Sequence, residues 1–250
     1  MNTPSHTLRN PVFCAVDTAD VGQATALAAK VADTVGGLKL GLEFFSANGP
    51  KGVQQVQKAS DLPIFLDLKF HDIPNTVAGA VRSAAAQVKP FMMTLMACGG
   101  RDMMQAACKA ATDVSHEFPV PRPLLLGVTV LTSFDAEDLL ETGVSGTVAD
   151  QVRRLAELAK TSGLDGVVCS PREAEILRRD LGPDFKLVTP GVRPTWADAN
   201  DQKRIMTPVE AVTAGANYLV IGRPISGAPD PAAAAARIAL ELAPTQIATS

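Results

Sequence analysis

The sequence predicts a single α/β domain, a (β/α)8 TIM barrel, from three observations. Short apolar runs alternate with helix-like stretches along the chain, about eight such pairs can be counted, and no low-complexity linker or shift in composition divides the 250 residues. Buried strands alternating with helices imply a parallel sheet, and about eight units in roughly 250 residues is the size of a closed barrel. An open, doubly wound sheet is the fallback. It is weakened because Val16-Asp17-Thr18-Ala19-Asp20, not a glycine-rich turn, follows the first strand.

The elements follow in order. Val12–Val16 is a short apolar strand closed by Asp17, and Val21–Val35 has alanine-rich helical spacing. Gly37–Gly41 is the second strand and Pro50–Lys58 the next helix. Ile64–Lys69 is the third strand, and Pro74 starts a helix over Thr76–Gln87. Phe91–Leu95 and Arg101–Thr112 form the fourth pair. Leu124–Leu131, a continuous apolar run, precedes a helix over Thr147–Thr161. Asp165–Cys169 with Pro171–Arg179, Lys186–Thr189 with Thr207–Ala214, and Tyr218–Ile221 with Pro231–Leu242 complete the series. One domain spans residues 1–250, with 1–10 a loose N-terminal extension.

Composition removes several function classes. At 46% hydrophobic residues the chain can bury a sizeable core. A net charge of −3, no basic stripe and only 4% aromatic residues argue against nucleic-acid binding. No continuous apolar run is long enough to span a membrane. The opening MNTPSHTLRN lacks the pattern of a secretory signal, which implies a cytoplasmic address. Cys14, Cys98, Cys108 and Cys169 form no CxxC pair and read as reduced, mostly buried thiols. With histidine only at His6, His71 and His116, a dedicated zinc site is not indicated, while carboxylate-bound magnesium stays open.

The chemistry centres on "FLDLKFHDIPNT", residues 65–76. Residues two apart on a strand face the same way, so Asp67 and Lys69 point together, with Leu66, Leu68 and Phe70 toward the helices. The charged pair then faces the barrel axis at the C-terminal end of strand three, the end at which barrel active sites are built. Asp17, Lys39, Thr132, Ser133, Arg193, Gly222 and Arg223 fall at equivalent places on other strands. A barrel gathers at one mouth what the chain scatters. An internal salt bridge is the bland alternative for Asp67 and Lys69, but buried ion pairs stabilise weakly. Taken singly, Asp17 also reads as a cap, Lys39 as a snorkelling lysine and His71 as a loop residue. Cys169 and the methionines of 92–96 read as core filling.

"TPGVRP" (189–194) and "IGRPI" (221–225) follow strands seven and eight, where barrels commonly hold phosphate. Gly222 lets backbone N–H groups approach an anion, and Arg223 offers a forked donor. The long polar stretch Pro194–Arg204 reads as a lid, from which Gln202 could reach the phosphate.

Together "FCAVDT", "GLKLG", "FLDLKFHDIPNT", "VTPGVRP", "DQKRIMTP" and "YLVIGRPI", running from about residue 12 to 226, resemble the orotidine 5′-phosphate decarboxylase family. The resemblance implies a charged array of Asp67, Lys69 and Asp72, with Lys69 the catalytic acid. It implies that Asp17 and Lys39 hold the ribose and complete the array. Asp72 and Thr76 would reach into a neighbouring subunit's site, which implies a homodimer. Thr132 would read the pyrimidine ring; Gln202, Gly222 and Arg223 would cradle the phosphate, supported by Arg193. Ile73 and Pro190 complete the implied binding set. No metal and no organic cofactor are implied, and the partner is a small nucleotide.

The reaction so implied removes CO2 from C6 of the orotate ring. Its difficulty is a carbanion with little delocalisation. Two opposite unit charges about 4 Å apart attract by about 4 kcal/mol at an effective dielectric near 20. Lys69 would supply such a charge and then protonate C6, its ammonium form favoured by flanking Asp67 and Asp72. The nearest rival is a magnesium-dependent sugar-phosphate decarboxylase or aldolase, whose strand two carries an acidic ligand where Lys39 stands here. A Schiff-base aldolase wants a neutral lysine, against which the aspartates act. A non-catalytic phosphate-binding barrel has no need of Asp67 and Lys69.

Overall fold

The structure, a computed structural model, describes residues 8, 10–197 and 206–247. Strand β1 (Val12–Val16) leads into α1 (Val21–Val31), whose N-terminus is capped by the Asp20 carboxylate accepting from Gln23 N. Next come β2 (Gly37–Gly41) and α2 (Leu42–Ser60). Helix α2 is kinked at Gly49, whose φ of 59° breaks the helix just before Pro50, so a helical turn sits where the sequence suggested only a loop. Then follow β3 (Ile64–Phe70), α3 (Pro74–Val88), β4 (Met92–Met96), α4 (Arg101–Glu117) and β5 (Leu124–Val128). The apolar run predicted as strand to Leu131 leaves the sheet after Val128.

A short helix, α5 (Ala136–Glu141), was not anticipated. It is closed by a capping box in which Asp135 accepts from Glu137 N and Asp138 N while Asp138 reaches back to Asp135 N. The chain continues through α6 (Val148–Thr161), β6 (Gly166–Val168), α7 (Ala174–Leu181), β7 (Lys186–Pro190), α8 (Pro208–Thr213), β8 (Tyr218–Ile221), α9 (Arg223–Ser226) and α10 (Pro231–Ile247). The strands are all parallel and close in sequence order, with β8 pairing back onto β1.

Alternation along the strands divides the core into two layers. Outward residues such as Leu38, Leu40, Leu66, Met93 and Leu187 pack with the helices. Inward residues, among them Phe13, Phe65, Met92, Leu126 and Tyr218, fill the barrel. The Phe13 ring meets Phe65 and Tyr218 edge-on at 6.1 and 5.7 Å and stacks on Phe91 at 6.0 Å. This aromatic plug closes the lower interior, with Leu8 packed against the same cluster. Gly37 makes room for it: a Cβ there would lie 2.3 Å from the Phe13 ring.

The N-terminal ends of the strands are held by polar clamps. Asp165 accepts two hydrogen bonds from Arg122 at 2.9 and 2.8 Å and one from Leu125 N at 2.7 Å, joining β5 to β6. Arg178 donates to the carbonyls of Gly182, Phe185 and Gly215 and to Asn217 Oδ1, which ties α7 to the starts of β7 and β8. Stability-bearing groups therefore gather at one end and leave the other free for chemistry.

Candidate active site

Strand β3 departs from regular pairing where its charges lie. Phe65 pairs with Met92 and Leu66 with Met93, but the next register pair is Phe70 with Leu95. Residues 67–69 thus stand opposite Thr94 alone, and Lys69 adopts a left-handed φ of 50°. Alternation of faces survives this bulge. Leu66, Leu68 and Phe70 lie on the helix side, and the Lys69 ammonium binds both carboxylate oxygens of Asp67 at 2.9 Å.

Lys39, inside β2, extends the array. Its Nζ lies 3.2 Å from Asp17 Oδ1 at the end of β1 and 4.0 Å from Asp67 Oδ2. Charges therefore alternate across three strands as Asp17, Lys39, Asp67, Lys69. Asp67 and Lys39 are the sequestered members, at 15% and 14% side-chain exposure, while Asp17 is open at 65%. Ion pairs so placed recover little folding energy against their desolvation. Their position suits a task that needs fixed charge in a partly dry site.

The array floors a cavity of about 210 Å³ whose wall is otherwise apolar: Phe65, Val128, Val130, Leu131, Val168 and Val220, with Thr132, Cys169 and Pro190. A second hollow of about 140 Å³ adjoins it through Lys39, Asp67 and Lys69 and runs past Asp17 and Gly41. A flat, mostly apolar ligand with a polar arm would suit such a pair of spaces. Cys169 is buried, as anticipated for core filling, yet also faces the cavity. Burial, aided by Glu173, pushes its thiol far up, so it is no nucleophile at neutral pH.

The remaining anticipated residues divide into groups. Thr132 and Pro190 line the cavity. Gly222 closes β8 close to Asp17, and a Cβ added there would meet nothing nearer than Ala15 at 3.5 Å. Arg223 opens α9 directly after it and is exposed. Arg193 is buried at 5% exposure, and its backbone N–H donates to Met206 O. Asp72, Ile73 and Thr76 line neither hollow; they belong to an unbroken exposed run, 71–76, in which Ile73 is 66% exposed. Gln202 lies outside the described residues. Sequence reasoning missed Thr94, whose hydroxyl donates to Asp67 Oδ1 and accepts from Lys69 N, both at 2.9 Å. It also missed the apolar wall, since such residues carry no chemical signature in a strand.

Fold and mouth define a single-domain (β/α)8 barrel of the enzyme type, with a charged array at the C-terminal ends of its strands. The chain belongs to the Orotidine 5′-phosphate decarboxylase / HUMPS family, whose model matches residues 10–238. Relatives named orotidine 5′-phosphate decarboxylase, a carbon–carbon lyase, include that of Rhodospirillum rubrum, 61% identical over 94% of each chain. Another, from Paramagnetospirillum magneticum, is 50% identical over 93% of this chain and 98% of its own. Among solved structures, orotidine 5′-phosphate decarboxylase from Lactobacillus acidophilus superposes with a TM-score of 0.81 at 36% identity, covering 93% of this chain and 98% of its own. An uncharacterized conserved protein from Geobacillus kaustophilus superposes with a TM-score of 0.80 at 35% identity, covering 92% and 99%. No helix among the described residues is long and apolar enough to cross a membrane.

Proposed function

We propose that this chain decarboxylates orotidine 5′-monophosphate to uridine 5′-monophosphate and CO2, the last step of de novo UMP synthesis, without metal or organic cofactor. The observation that carries this reading is the Lys69 ammonium held by both oxygens of Asp67 beside an apolar cavity. In the proposed mechanism the pyrimidine enters that cavity, near Thr132 and Pro190. Loss of CO2 leaves an electron pair on C6, which Lys69 stabilises as an ammonium and then protonates. Asp67 keeps Lys69 in place and adds repulsion toward the substrate carboxylate, a secondary effect. Asp17 and Lys39 hold the ribose. Gly222, Arg223, Arg193 and Gln202 take the phosphate, whose binding energy organises the reacting end.

The rival magnesium-dependent sugar-phosphate chemistry needs an answer. Lys39 supplies it. An ammonium 4.0 Å from Asp67 and 3.2 Å from Asp17 already pairs with these carboxylates and would repel a divalent cation beside them. The proposal includes a cytoplasmic homodimer in which Asp72 and Thr76 complete the neighbouring site. The exposed run 71–76 supports that part, because an aspartate and a bare isoleucine on one rim suit a partner better than water.

Ultraviolet absorbance tests the reaction. Orotidine 5′-monophosphate mixed with the protein in excess EDTA should lose its orotate band rapidly, and a Lys69→Ala variant should leave the band in place. An unchanged spectrum with the natural protein would reject the reading and move attention to sugar phosphates with magnesium.

A further inference from the structure

The bulge in β3 leaves the Lys69 N–H beside a side chain rather than a strand carbonyl. That side chain is Thr94, which is 0% exposed and sits on β4 between outward-facing Met93 and Leu95. A hydroxyl has one donor and two acceptor positions. This one accepts from Lys69 N and donates to Asp67 Oδ1, both at 2.9 Å, and the same Asp67 grips the Lys69 ammonium. The loop of contacts is closed: backbone of Lys69, hydroxyl of Thr94, carboxylate of Asp67, ammonium of Lys69.

We propose that Thr94 is a positioning residue for the reaction, its hydroxyl holding Lys69 and Asp67 in working geometry without touching substrate. The inference rests on the decarboxylase reading. Two features support it beyond the bonds themselves. Lys69 has φ 50°, a conformation that a non-glycine residue keeps only when its surroundings hold it. Thr94 also lies outside the set of residues that line the cavity, so it acts through Asp67 and Lys69. Without its hydroxyl, the Asp67 carboxylate can rotate and carry the ammonium off the line to C6. A misplacement of about 1 Å at a reacting group costs on the order of 100-fold in rate.

The test compares Thr94→Ser, Thr94→Ala and Thr94→Val with the natural protein. Ser and Ala differ by the hydroxyl alone, and Val keeps the shape of threonine. Expected for Ser is a kcat within about threefold of the natural protein, and for Ala and Val a kcat lower by about 100-fold with KM within about threefold. Amide hydrogen exchange gives a readout independent of turnover: Lys69 N–H should lose protection in Ala and Val and keep it in Ser. An Ala variant with the kcat of Ser, a loss confined to KM, or an unchanged Lys69 amide would each overturn the proposal. So would failure of both Ala and Val to fold, because the hydroxyl would then serve stability. If the natural protein leaves orotidine 5′-monophosphate intact, the decarboxylase reading falls. The Thr94 proposal falls with it, whereas a natural protein that turns over beside an equally active Ala variant removes Thr94 alone.

Discussion

Asp67 is the residue on which three separate demands converge. It binds the Lys69 ammonium, lies 4.0 Å from the Lys39 ammonium and accepts from Thr94. Its sequence signal was strong because a carboxylate in an apolar strand is costly and needs a reason. Thr94 gave no comparable signal, since a threonine within Met92–Met96 looks like an ordinary β-branched strand residue. Arg223 makes a different test. Its proposed partner is the phosphate and not the reacting ring, so if phosphate binding organises the array, Arg223→Ala should lower kcat by about tenfold or more in addition to raising KM. Steady-state kinetics at saturating substrate checks this, and an intact kcat would count against that role. The thiols and the phenol titrate outside the working range. Burial pushes Cys14 from 9.0 up to about 12, with Asp17 adding to the rise and Lys39 opposing it, and burial pushes Tyr218 from 10.0 up to about 12. The fold keeps both neutral, while an unfolded chain ionises them earlier. Their contribution to stability is whole below about pH 9 and is lost as pH climbs toward 12, by up to about 1.4 kcal/mol per pH unit and group. Melting midpoints should therefore fall above about pH 9, and more gently in a Cys14→Ala variant than in the natural protein.

At the scale of elements, strand and helix order was legible because each strand is a short apolar run flanked by turn chemistry. The failures have local causes. The first turns of α2 were hidden by Gly49 and Pro50, which punctuate a sequence as a loop does; the chain instead kinks there and continues. Helix α5 has only six residues, too few for an amphipathic period to show, although Asp135 and Asp138 do cap it. The bulge in β3 was invisible because it exists only in the pairing, three residues of β3 standing against one of β4, and no residue type within β3 announces it. The N-terminal clamps offer the clearest element-level prediction. Asp165→Asn removes a charge that anchors Arg122 and weakens acceptance from Leu125 N. It should cost about 1–3 kcal/mol of stability while leaving kcat unchanged. Denaturant melts and kinetics on the same sample check both halves, and a drop in kcat at full stability would contradict the division of labour between the two ends.

At the scale of the whole molecule, closure of the barrel turns residues far apart in sequence into one mouth: Asp17, Lys39, Asp67 and Lys69 come from three consecutive strands, Gly222 closes in beside Asp17 from the end of β8, and Thr132 and Pro190 line the cavity from beyond β5 and from the end of β7. That gathering could be anticipated from the eight-fold alternation alone. The run 71–76 could not be placed that way: Asp72 and Thr76 are exposed and line neither hollow, and their proposed role is the completion of a neighbouring copy's mouth. If a second copy of the chain supplies that completion, Ile73→Glu should yield a monomer by sedimentation with little residual turnover, and a fully active Ile73→Glu monomer would exclude the shared site.

The bulge in β3 has a consequence for heredity. Where β4 spends one residue between register pairs, β3 spends three, so the aim of Lys69 is stored as a length as well as a spelling. Point mutations can change every letter of that stretch and never alter its count. Only a deletion can, and the loss of two residues between Leu66 and Phe70 would give a strand of regular register, with the rest of the barrel's pairings intact and no aimed cation in its mouth. A gene for this protein thus stands one in-frame deletion away from an inert look-alike.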